Sequence, residues 1–88
     1  MTYDRQTLKE ELKRDEDVRQ KPYTDTVGKL TIGVGHNLTD LGLPLSIIYA
    51  LLDLDIDQAA RDVHAIIPEW ETLSDARQRV LLNMAFNL

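Results

Sequence analysis

The stretch Glu16-Asp17-Val18-Arg19-Gln20-Lys21-Pro22-Tyr23-Thr24-Asp25-Thr26-Val27-Gly28-Lys29-Leu30-Thr31-Ile32-Gly33-Val34-Gly35-His36 decides how this chain is read. Pro22 disfavours helical backbone at Lys21, so any helix before it must already have ended. From Leu30 the residues alternate. Leu30, Ile32 and Val34 fall on one side, Thr31, Gly33 and Gly35 on the other, which is the period of a strand with one covered face. Thr26-Val27-Gly28-Lys29 supplies a turn in which Gly28 is free to take positive φ, so Tyr23 to His36 is expected to form a hairpin. Two glycines on one strand face mark backbone that a ligand or another chain segment approaches closely.

Working outward, residues from about Asp4 to Asp15 read as a first helix, with capping candidates Thr2 and Asp4 and with Leu8 and Leu12 one turn apart. Downstream, Gly42 and Pro44 punctuate the chain. Ile48, Leu51, Leu52, Ile56, Ala59, Ala60, Val63 and Ile67 then recur at three- and four-residue intervals up to Pro68, predicting a long helix. Asp53, Asp57 and Arg61 follow at i,i+4 on its solvated side. A last helix is expected to begin near Thr72 or Ser74. From Val80 to Leu88 it is apolar on nearly every face and needs burial all round, which implies a partner or self-association over Val80–Leu88. Together these elements predict an α+β class: N-terminal helix, small antiparallel sheet, long helix, apolar helix.

Eighty-eight residues allow one small domain. No cysteine is present, so neither a disulfide nor a thiolate metal site supplements the core. A net charge of −5 disfavours nucleic acid as a partner and gives no long-range attraction toward an anionic polymer. No apolar run reaches bilayer length, and Met1-Thr2-Tyr3-Asp4-Arg5 lacks the apolar core of a signal peptide, so synthesis in a cytoplasm without a leader is expected.

Three side chains around the hairpin could carry chemistry. Glu16 falls at the C-terminal end of the first helix, where the macrodipole and neighbouring Asp15 and Asp17 favour a retained proton, as a general acid requires. Asp25 enters the turn, and Thr31 adds a hydroxyl six residues later. Two carboxylates flanking a water-sized gap are the working parts of glycoside hydrolysis. Taken singly, each has a plainer reading: a solvated surface acid, a turn-starting Asp, and a β-branched strand residue.

Two rival motifs fail. Asp53-Leu54-Asp55-Ile56-Asp57 opens like a calcium loop, yet Gln58 and His64 occupy the positions that need Gly and Glu. Gly33-Val34-Gly35 would need its third glycine at Leu38. His36 and His64 lack zinc-ligand spacing, so no metal or cofactor is expected, and His36 is expected to hydrogen-bond locally. Trp70, beside Pro68, is expected in the core.

Glu16, Arg19, Tyr23, Asp25, Gly28, Thr31, Ile32, Gly33, Gly35 and His36 stand in register with the pattern of the phage-type lysozymes, the endolysins of glycoside hydrolase family 24, which this sequence resembles. Asn83-Met84-Ala85-Phe86-Asn87 is similar to a second run of that family, so the likeness covers nearly the whole chain. The resemblance implies a lysozyme-like fold in which residues 1–67 form a catalytic lobe with its connecting helix and residues 68–88 begin a helical second lobe, with the glycan cleft between them. It implies that Glu16 protonates the leaving glycosidic oxygen, that Asp25 and Thr31 hold the attacking water, and that Asn37, Phe86 and Asn87 contact glycan. The implied substrate is the β-1,4 bond between N-acetylmuramic acid and N-acetylglucosamine in peptidoglycan, cut with inversion during wall lysis. There are two departures from the pattern. Asp17 stands where the family usually has glycine, and family members are considerably longer than this chain. A non-catalytic module that binds wall glycan, or self-associates through its last helix, is the competing expectation.

Overall fold

In the computed structural model, residues 2–87 are described, so the end of the apolar Val80–Leu88 run, Leu88, lies outside the described residues. The chain divides into two compact units, Met1–Leu43 and Pro44–Leu88.

The first unit opens with helix α1, Arg5–Glu16. Asp4 caps it by accepting the Thr7 amide at 3.1 Å, and Lys13 and Arg14 offset the dipole in its last turn. The helix runs one residue further than the sequence pattern indicates, and Asp17 closes it by donating its amide to the Lys13 carbonyl at 3.0 Å. Leu8 and Leu12 remain exposed.

Strands β1 (Arg19–Thr24), β2 (Leu30–Gly33) and β3 (His36–Asn37) form an antiparallel sheet in the order β1-β2-β3. Tyr23 lies opposite Thr31, and Thr31 opposite Asn37. Three features differ from the hairpin expected. β1 starts at Arg19 and passes through Pro22, with an irregular register between Arg19 and Tyr23; a residue without N–H is tolerated on such an edge. β2 ends at Gly33, because Gly33 and Gly35 take φ of +70° and +67° and turn the chain into a third strand. Val34 therefore lies in a turn. The covered face is also the opposite one. Thr31, flanked in register on both sides, is 4% exposed, whereas Leu30 and Val34 are exposed and Ile32 is half-buried.

A short helix α2, Leu38–Leu41, follows directly, capped by Asn37. It is pinned to the sheet by Leu30 N–H donating to Thr39 Oγ1 at 2.7 Å and by the Lys29–Asp40 ion pair at 3.0 Å. His36 Nε2 bonds the Gly42 carbonyl at 2.6 Å, the local role expected for it.

The second unit contains α3, Leu45–Ile66, the turn of 3-10 helix Trp70–Thr72, and α4, Asp75–Phe86. α3 starts three residues ahead of its apolar stripe, with Pro44 as cap, and stops before Pro68 as the restriction on the preceding residue requires. Ser74 caps α4 through the Arg77 amide at 3.3 Å. The core comprises Ala59, Val63 and Trp70, and Gln78 Nε2 holds the Trp70 carbonyl at 2.9 Å. Ile48, Leu51, Leu52 and Ile56 on α3 are exposed, as are Val80, Met84 and Phe86 on α4. Among the described residues, α4 has none that is buried. No described helix is long and apolar enough to cross a membrane.

Candidate active site

Glu16 is the last residue of α1, and the reversal at Asp17 turns the chain toward β1. Its side chain lies over Gly35. A Cβ on that glycine would stand 3.2 Å from Glu16 Oε2 and 3.4 Å from Cδ and Cγ. The close approach that paired glycines signal is thus made by the chain itself, at Gly35; Gly33 faces open space. Among the described residues the Glu16 carboxylate makes no hydrogen bond or ion pair. It is exposed.

Asp25 is the half-buried residue that follows β1. Its Oδ1 accepts the Val27 amide at 3.0 Å and the Lys29 amide at 2.8 Å, while its own amide donates to the Lys29 carbonyl at 2.8 Å. Gly28, at φ +86°, completes the turn. The turn-forming role is therefore real. It also fixes the carboxylate plane while no protein donor among the described residues engages Oδ2. One oxygen is held and the other is left open.

Thr31 sits on β2 between these two turns. Its hydroxyl donates to the Lys29 carbonyl at 3.1 Å. A hydroxyl has one proton, so this bond leaves only acceptor lone pairs for a further partner, such as a water O–H. The first unit thus gathers all three residues around one strand: Asp25 in the turn before it, Thr31 on it, and Glu16 against the turn after it.

Asn37 caps α2. Its Oδ1 accepts the Asp40 amide at 3.0 Å and its Nδ2 donates to Asp40 Oδ2 at 2.9 Å, so both ends of the amide already have a partner. In the second unit, Phe86 lines an apolar groove with Leu52, Ile56, Ala59 and Leu82. Asn87 ends α4, its Nδ2 donating to the Asn83 carbonyl at 2.7 Å. No group of three or more His, Asp or Glu among the described residues is arranged to hold a metal.

One feature had no usable sequence signal: Arg19 lies 5.1 Å above the Tyr23 ring, a cation–π contact across the stretch of β1 whose register is irregular. Asp17 adopts φ +68°, at the position where the family pattern usually has glycine, the residue that takes positive φ without strain.

Comparison with known proteins bears on the family and the fold. The family model described as "Phage lysozyme" matches residues 13–88, spanning α1's last turn through α4. The pre-baseplate central spike protein Gp5 of Enterobacteria phage T4 is 30% identical over 110 aligned positions, covering 93% of this chain. The chain spans 19% of the length of that relative. With the α+β architecture, a three-stranded antiparallel sheet beside helices, the match over most of the sequence establishes a lysozyme-like fold, and the chain belongs to the phage lysozyme family.

Proposed function

We propose that this chain is a muramidase that hydrolyses the β-1,4 bond between N-acetylmuramic acid and N-acetylglucosamine in peptidoglycan. Glu16 donates a proton to the leaving oxygen, and Asp25, through Oδ2, together with the Thr31 lone pairs, orients the water that attacks the sugar from the other side. A water held between two carboxyl groups gives inversion at the anomeric carbon. The observation that carries the reading is the Glu16 carboxylate, unbonded and seated on Gly35, in the same unit as a hairpin carboxylate fixed by two amides. Asn37, Phe86 and Asn87 are the proposed glycan contacts, and residues 1–67 and 68–88 the proposed functional lobes. The site of action is the bacterial wall.

Turnover of purified cell wall tests this. Glu16→Gln is expected to lower the rate by roughly a hundredfold or more, the usual worth of a positioned general acid. NMR of the new reducing end is expected to show the α anomer first. An unchanged rate in Glu16→Gln removes Glu16 from the mechanism, and a first-formed β anomer removes inversion.

The exposure of Val80, Met84 and Phe86 favours a second reading, a module that self-associates through α4 or binds wall glycan without turnover. Sedimentation discriminates: a monomer with no affinity for wall glycan excludes it.

A further inference from the structure

Asp17 occupies backbone that side chains avoid. At φ +68° and ψ 168° it lies in a region used almost only by glycine, and it is the single non-glycine residue with positive φ among those described. Such conformations persist where the surroundings over-determine them. Here the restraints are specific. The Asp17 amide ends α1 on the Lys13 carbonyl, and Oδ1 accepts the Val18 amide at 2.9 Å. Oδ2 lies 3.6 Å from Arg19 Nε, and the Arg19 guanidinium stacks over Tyr23, the residue opposite Thr31. The ion pair joins two exposed groups and holds little by itself. The hydrogen bonds to the Lys13 carbonyl and from the Val18 amide therefore do most of the holding.

We propose that Asp17 is a positioning residue for Glu16: its carboxylate clamps the Val18 amide and Arg19, sets the angle at which α1 meets β1, and so keeps the Glu16 carboxylate against Gly35. The catalytic consequence rests on the reading of Glu16 as the acid; the geometric claim does not. Glycine at this position would relax the backbone and release the clamp, because it adopts the same φ with no carboxylate to hold the next amide. Asparagine would retain an acceptor for Val18.

The test uses the full 88-residue chain as wild type, Asp17→Asn and Asp17→Gly. NMR reads the cross-peak between the Glu16 γ-protons and the Gly35 α-protons, together with hydrogen exchange at the Val18 amide. Asp17→Gly is expected to melt at or above the wild-type temperature, yet lose both the cross-peak and the amide protection, while Asp17→Asn keeps both. The kcat of Asp17→Gly on cell wall is expected to fall about tenfold with KM unchanged, because misplacing a reacting group costs rate rather than binding. Retention of cross-peak and protection in Asp17→Gly overturns the proposal, whatever its melting temperature. Glu16→Gln, assayed alongside, separates the two claims. If it keeps full turnover, Glu16 is not the acid, and the clamp is judged on the NMR arms alone.

Discussion

Glu16 Oε2 lies within 3.2 Å of where a Cβ on Gly35 would stand, so the acid at the end of α1 is seated on the one residue type that leaves room for it. Gly35 also has φ +67°. Gly35→Ala therefore carries two penalties, a left-handed backbone on an L-residue and a displaced carboxylate. The first is expected to cost about 1–2 kcal/mol in a thermal or urea melt. The second is expected to lower cell-wall turnover beyond what the lost stability explains, seen by assaying well below the melting range. Wild-type turnover in Gly35→Ala would separate Glu16's position from its role.

Substitution separates the turn-forming role of Asp25 from its proposed role on the attacking water. In Asp25→Asn the side-chain carbonyl oxygen can still accept the Val27 and Lys29 amides, so this variant is expected to melt close to wild type. Its turnover is expected to fall about a hundredfold, since a neutral amide cannot activate water as a carboxylate does. Asp25→Ala loses both turn bonds, at about 1 kcal/mol each. Equal activity in Asp25→Asn and wild type would reduce Asp25 to a turn residue.

The second unit depends on very few buried groups. Trp70 is 9% exposed and shares its core with Ala59 and Val63, each 7% exposed. Trp70→Ala is expected to remove roughly 3–5 kcal/mol. With so thin a core, that loss should abolish the near-ultraviolet dichroism and cooperative melting of α3 and α4. A cooperative transition at the wild-type temperature would show that Trp70 is not the anchor.

Asp4 sets a pH dependence in the first unit. The Thr7 amide, and to a lesser degree the Thr7 hydroxyl, hold the Asp4 carboxyl below its ordinary value of 3.8. A folded-state pKa below the unfolded one means that stability is present above the unfolded value and is lost as pH falls through the folded value. Asp4→Ala is therefore expected to melt below wild type at neutral pH, and the gap should close on acidification below the carboxylate range. A gap independent of pH would mean that the cap acts without its charge.

The features that the sequence determined by itself have local causes. Pro44 and Pro68 bound α3 because proline constrains its own φ and its predecessor's backbone, and Ser74 starts α4 because its side chain caps the amide three residues on. The Asp25–Gly28 turn and the Glu16-to-His36 pattern were readable for the same reason: their residues lie within reach of one another along the chain. Tertiary structure alone decided the burial of Thr31 rather than Leu30, the third strand and α2, the Arg19–Tyr23 stack, and the seating of Glu16 on Gly35. Alternation marks two faces of a strand but not which is covered. That depends on what the register sets opposite it, here Tyr23 and Asn37 flanking Thr31.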